Sequence, residues 1–469
     1  MSVLLKIFPN KIISLSILFL VAGFFMIGAN IPDRFGAIFL LVGGLLYAYY
    51  IYKSDFNFRT ILREFYPIWF WILSYLGVVF MALVSVHFAF DTQATLKAIG
   101  LFLILPLILS LFFYFVIKNL SQKALRFFLI LLGGMIFFHP LATIYDYFIN
   151  HSDRATGFGE ALIIPYGMFL ILSFALGMTM VVYLSGKWRF FSYVAFGISL
   201  LAIYANGTRA LILSVATMIF VALFFLHIKY KKIIIPIVFV FLTGIGIGVI
   251  FLSSHFSDRF NFKKMLEHIS VVWHYAPSEM GRFDKRCFIN YLYKCSEYSG
   301  DKLDQRFSFE SNALGRLSLW KSALLAIAEN PFRPNGFYSR FFDKNILNVF
   351  KSSSNNHPYA LNHSGKISFY DHIHNMPLSF IFELGIVGFL FIIINFCCMI
   401  RHFTSYLRQT NDFYETFFIS FFIIFLSGFI ISMFFDSMLS FFNFNSSFFI
   451  LCGIFLGISC RKFKEKNVL

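Results

Sequence analysis

Apolar runs long enough to cross a bilayer recur along the chain at 12–29, 35–52, 66–87, 98–118, 124–148, 161–184, 189–205, 209–228, 232–253, 377–400, 413–434 and 441–460. A spanning helix needs about 17–25 predominantly apolar residues. The pattern therefore predicts an all-α membrane protein with about twelve transmembrane helices. The seventh and eighth runs are separated only by Asn206-Gly207-Thr208, which leaves room for a tight turn. Residues 12–29 read as the first helix and not as a cleavable leader, because no clear small-x-small cleavage site precedes Asn30. Between the ninth and tenth runs the pattern breaks. Residues 1–253 are expected to carry helices one to nine, 254–373 to form a separate loop domain, and 374–469 to carry helices ten to twelve.

The loop has a pattern of its own. Leu314, Leu317, Trp320, Leu324 and Ile327 recur near helical spacing, with Lys321 and Glu329 elsewhere. Ser311 or Asn312 suits a cap at the start, and Pro331 and Pro334 stop the helix. The loop is thus partly helical, with an amphipathic helix over 313–330 that lies on the membrane or over the bundle, or simply packs. Residues 351–366, with Ser352–Ser354, Asn355 and Asn356, read as a flap.

Composition agrees with the spans and then orients them. Of 469 residues, 59% are hydrophobic and only 13% charged. A soluble domain carries roughly a quarter charged residues, so most of this surface faces lipid. The net charge of +16 invites a nucleic-acid reading, but the Lys and Arg residues are scattered between apolar runs and form no stripe. No nucleic-acid partner is expected. Alternate loops carry Lys6, Lys11, Lys53, Arg59, Arg63, Lys118, Lys123, Arg126, Lys187, Arg189, Lys229, Lys231, Lys232, Arg401, Arg408, Arg461, Lys462, Lys464 and Lys466. The opposite short loops carry only Arg34, Lys97, Arg154 and Arg209. Cytoplasmic loops hold the excess of basic residues. Both termini are therefore expected in the cytoplasm of a multi-pass inner-membrane protein, and 254–373 in the periplasm.

The cysteines narrow the chemistry. Cys397, Cys398 and Cys452 lie within apolar runs and Cys460 at the end of the last, where they read as small hydrophobes. Cys287 and Cys295 are the only pair in the loop, and an oxidising compartment permits a disulfide between them. No Cys/His set has zinc spacing. No metal and no cofactor are expected.

Three of the four basic residues on the sparse side stand at helix mouths: Lys97, Arg154 and Arg209. Helices entering the membrane from that side turn their positive dipole ends toward it. Basic side chains beside those ends suit an anion; the alternative is snorkelling to lipid head groups. A second constellation is Asp371-His372-Ile373-His374-Asn375-Met376-Pro377. Pro377 fits a first helical turn and Asn375 a cap. His374 then stands at the helix mouth, either as a proton acceptor or as an interfacial histidine; His372 is the weaker second. Glu383, inside an apolar run, is expected to pair with a neighbouring helix or stay protonated. Gly385 and Gly388 suggest close helix approach.

His374-Asn375, nine residues, then Gly385-x-x-Gly388 resembles the His-[Asn/Ser/Gln]-x9-Gly-x-x-Gly motif of the O-antigen ligase family. Gly315-Arg316-Leu317-Ser318-Leu319-Trp320 resembles the family's Gly-Arg-x-x-Leu-Trp segment in its large periplasmic loop. Thr208-Arg209-Ala210 and Arg154-Ala155-Thr156-Gly157 resemble its basic positions at outer helix mouths. One departure follows Asn330-Pro331: a glycine pair common in the family is here Phe332-Arg333-Pro334-Asn335-Gly336, with one glycine kept. The resemblance implies transfer of a glycan from undecaprenyl pyrophosphate to a lipid A-core sugar, without a divalent metal; no Asp-x-Asp occurs in the chain. It implies His374 as general base and Arg209 and Arg316 as charge-neutralising residues. Lys97, Arg154, Asn375 and His372 would bind substrate. Two other readings stay open: an O-antigen polymerase, and a flippase or transporter of lipid-linked glycans. Ionisable residues deep in the spans are few besides Glu383 and His139, which weighs against the transporter.

Overall fold

The computed structural model describes residues 11–28, 33–53, 62–89, 92–151, 154–157, 163–225, 269–270, 273, 311–338, 373–435, 439 and 442–461. The ninth apolar run, the 351–366 segment, the Cys287–Cys295 pair and His372 lie outside the described residues. Among the described residues all regular structure is helical. In chain order the helices are α1 (Lys11–Gly28), α2 (Asp33–Lys53), α3 (Trp69–Val86), α4 (Thr92–Ile99), α5 (Leu105–Asn119), α6 (Gln122–Ile149), α7 (Ile163–Tyr183), α8 (Lys187–Asn206), α9 (Arg209–Leu223), α10 (Ser311–Glu329), α11 (Met376–Leu407), α12 (Phe413–Met433) and α13 (Phe442–Ser459). The eleven other apolar runs each coincide with a helical segment. Seven segments are long and apolar enough to cross a membrane, and α1, α2, α9 and α13 contribute shorter apolar stretches.

One π turn, Gly100–Ile104, joins α4 to α5. Widening the turn frees carbonyls that a regular helix would use. Two neighbours take them: Asn445 Nδ2 donates to Phe102 O at 2.7 Å, and Tyr75 OH to Leu103 O at 3.0 Å. In lipid an unpaired carbonyl costs several kcal/mol, so the irregularity persists because α3 and α13 cover it.

α7 and α12 are buried over most of their length, whereas the other long helices keep lipid-facing residues such as Phe70 and Phe190. Helices apolar on every side belong in an interior. Stacked rings line the centre, with Phe422 on Phe455 at 4.2 Å and Phe429 on Phe448 at 4.4 Å. α13 lies so close to α5 that a Cβ at Gly453 would strike Ser110 O. Small residues at such contacts allow the dispersion contacts that hold helices together in lipid.

Polar contacts gather at the two ends of the bundle. At one end Lys118 Nζ lies 2.9 Å from Glu64 Oε2, and Arg126 3.3 Å from Asp412 Oδ2. Arg461 donates there to Leu120 O at 2.6 Å. Partial burial works against ionisation of Asp412, but N–H groups of Glu415 and Tyr414 and the Arg126 guanidinium outweigh it and hold the carboxyl below its ordinary value. These residues sit in or beside the loops that carry the excess of basic residues. The other end holds the α8–α9 turn, the 154–157 segment, α10 and the start of α11.

Candidate active site

The start of α11 is built by its cap. Asn375 Oδ1 accepts from Leu378 N at 3.0 Å, and Asn375 Nδ2 donates to Phe434 O, past the end of α12, at 2.9 Å. Pro377 occupies the first turn, where no intrahelical N–H is needed. The capping role read from the sequence holds. The amide is buried, with one bond at its oxygen and one at its nitrogen.

His374, just before the cap, is half-buried with φ of +54°. A non-glycine residue in the left-handed region needs surroundings that over-determine it. On its far side Ile373 is buried, and Ile373 O accepts from the indole of Trp320 on α10 at 3.1 Å. Ala323, Ala326, Ile373 and Phe382 form a small apolar cluster with Trp320, Ile327 and Leu378 packed on it. The expected stripe on α10 is therefore corrected at one position. Leu324 is exposed, and the inner row runs through Ala323 and Ala326. Periodicity registers a leucine more strongly than an alanine, but only the alanines let the helix backbone approach the His374 loop. Arg316 lies one turn ahead of Trp320 on α10.

After α10 the chain forms a strap, 330–338, that enters the bundle beside α11. α11 is broken at Gly385, whose φ is +71° and ψ 170°. In an unbroken helix Ile386 N would bond to Phe382 O. Instead Ile386 N donates to Pro331 O at 2.9 Å, and Asn335 donates to Glu383 O through its backbone at 3.2 Å and to Phe382 O through Nδ2 at 2.9 Å. Of the groups released by the break, Ile386 N, Phe382 O and Glu383 O are met by the strap. A Cβ at Gly385 would stand 2.7 Å from Phe332 O. Gly385 is thus a break point, not a helix-packing residue, whereas Gly388 does face Met81 of α3. Glu383 finds its partner on the strap and not on a neighbouring helix: Tyr338 N donates to Glu383 Oε2 at 2.9 Å. Tyr338 also stacks on Phe102 of the π turn at 4.4 Å. Beneath the strap an apolar cavity is lined by Tyr75, Phe337, Met376, Phe380 and Phe448 among others.

The basic positions are assembled next to this. Arg154 NH2 donates to Thr208 Oγ1 at 3.4 Å, and Thr208 Oγ1 to Asn206 Oδ1 at 2.6 Å. Asn206 Nδ2 in turn donates to Ala155 O at 3.0 Å. Asp146 Oδ2 accepts from Thr156 N at 2.9 Å and Gly157 N at 3.3 Å, which fastens the segment to α6. Arg209 is the first residue of α9. Ser214 bonds Ser432, and Gly428 abuts Met218, so α9 and α12 run antiparallel. Five residues of helix, about 7–8 Å, separate Arg209 from Ser214. Its backbone consequently stands at the end of α12 where Phe434 O receives Asn375. Lys97 is exposed in the last turn of α4, ahead of the π turn that touches the strap. Of the positions picked from the sequence, Arg154 bonds Thr208 beside Arg209, Arg316 lies on the helix whose Trp320 bonds Ile373 O, and His374 adjoins the Asn375 cap. Sequence reasoning missed Trp320 and Thr208 as hydrogen-bonding residues, and Asn335 and Asp146 altogether; the turn signals Asn335-Gly336 and Asn206-Gly207 were visible.

An apolar helical bundle with seven segments long and apolar enough to cross a bilayer is a multi-pass membrane protein. Residues 194–393 match the model of the O-antigen ligase family, the family that the histidine and arginine motifs resemble. The matched span runs from α8 through α9, α10, the strap and His374 to beyond Gly388. A search of curated proteins returns no match.

Proposed function

We propose that the protein is an O-antigen ligase. It would move a glycan from undecaprenyl pyrophosphate onto a sugar hydroxyl of the lipid A core, without a metal ion, at the periplasmic face of the inner membrane. The observation that carries this reading is the family match across a span that contains Arg209, Arg316 and His374. Pyrophosphate is already a good leaving group, so the site needs charge neutralisation and a base. His374 takes the proton of the acceptor hydroxyl while its oxygen attacks the anomeric carbon. The bond from that carbon to the pyrophosphate oxygen breaks, and the pyrophosphate leaves with the electron pair. Arg209 and Arg316 receive its charge. Lys97, Arg154, His372 and Asn375 bind substrate, and Asn375 also caps α11 beside the base. The same proposal includes about twelve spans, cytoplasmic termini, a periplasmic loop domain over 254–373, and spans over 1–253 and 374–469.

Purified protein given lipid-linked glycan and lipid A core tests it. Ligation is expected, and His374→Ala is expected to lower it by roughly 10²–10⁴-fold, the usual worth of a general base, while donor binding and membrane accumulation persist. Elongated lipid-linked glycan with no core adduct would make the protein a polymerase. Wild-type protein that moves glycan across vesicles but joins nothing would make it a transporter.

A further inference from the structure

We infer that Trp320 is a positioning residue for His374, its indole N–H holding the loop that presents the imidazole. This rests on the reading of His374 as the base. His374 has a left-handed backbone with no glycine to ease it (φ +54°). Histidine visits this region more readily than most residues, and the surrounding contacts fix it there. Asn375 holds one side through its bonds to Leu378 N and Phe434 O. On the other side Ile373, although buried, could still rotate its peptide plane toward a regular backbone; the 3.1 Å bond from Trp320 Nε1 to Ile373 O opposes that rotation.

The placement of Trp320 is itself over-determined. Its ring packs with the cluster of Ala323, Ala326, Ile373 and Phe382, and lies 6.5 Å from the Phe435 ring beyond α12. The two alanines allow α10 to lie close enough for the indole to reach a backbone carbonyl. A half-buried indole N–H needs an acceptor, and the one it takes here is the carbonyl of the residue before His374. An indole N–H aimed at the carbonyl next to a left-handed histidine is what a positioning role requires. Through this bond the loop domain contributes to the presentation of a residue carried at the mouth of α11.

Trp320→Phe separates the two roles, because it keeps an aromatic ring and removes the N–H. The full-length protein in detergent is assayed with undecaprenyl-pyrophosphate-linked glycan and lipid A core, and donor affinity is measured separately. Expected is a roughly ten- to hundredfold lower kcat, the scale of a displaced reacting group, with KM, donor affinity and protein yield unchanged. An unchanged kcat overturns the inference, and so does a loss carried by KM, by donor affinity or by yield. His374→Ala in the same assay keeps the two claims apart. If it ligates at the wild-type rate, the base assignment fails; if it is inactive while Trp320→Phe is unaffected, only the positioning role fails.

Discussion

The candidate residues divide into those whose chemistry is visible from type and place and those whose work depends on a contact. Arg209 and Arg316 belong to the first group: each was legible as a basic residue inside a specific motif. Lysine retains their charge but lacks the planar fork that pairs two oxygens at once. Arg209→Lys and Arg316→Lys are each expected to lower ligation about tenfold or more, about 1.4 kcal/mol of transition-state stabilisation, with protein levels unchanged. Initial rates on purified protein check this, and near-normal ligation by both Arg316→Lys and Arg316→Ala would remove that residue from the site. Trp320, Asn335 and Glu383 belong to the second group. Trp320 stood in the motif, yet nothing in the order of residues disclosed that its indole meets Ile373 O.

At the scale of elements, α11 is the informative helix. Its apolar run predicted a continuous span, and the glycines suggested close packing. The break at Gly385 and the strap that fills it are instead one unit, because the broken helix releases backbone groups and Pro331 and Asn335 receive them. Gly385→Ala would place a Cβ against Phe332 O in a backbone region where only glycine is comfortable. Strain of this kind costs about 1–3 kcal/mol. The variant is expected to unfold a few degrees earlier in detergent and to expose the strap to limited proteolysis. Equal melting and equal protease resistance would show that the break tolerates a side chain. Gly134→Ala, in α6 where a Cβ meets open space and φ is not positive, serves as the comparison.

At the scale of the molecule, the spacing of basic residues sorts the loops into two sets, and the described contacts of each set fall at opposite ends of the bundle. Lys118, Arg126 and Arg461 meet Glu64, Asp412 and the Leu120 carbonyl at one end. Arg154, Thr208, Trp320 and Asn375 bond at the other. The positive-inside rule assigns the first end to the cytoplasm. A reporter active only in the periplasm is expected to be silent when fused after Leu469 and active when inserted within 274–310. Activity of the C-terminal fusion would reverse the orientation and place His374 on the wrong side for a periplasmic acceptor.

What the sequence determined by itself follows from solvent and from local geometry. Apolar run length settles that the chain is helical and membrane-embedded, since only closed backbone hydrogen bonding survives in lipid. Asn375 and Pro377 determine where α11 begins, because a cap and a first-turn proline act within a few residues. The motif positions depend only on order along the chain. What tertiary structure decided depends on which surfaces meet. Ala323, and not Leu324, became the inner face of α10; Glu383 found its partner on the strap; and the end of α12 came to hold the His374 loop through Phe434 O. These contacts join residues 45 to 59 positions apart, and their partners are mostly backbone carbonyls and N–H groups. Every residue carries those groups, so no residue type announces which one will be used.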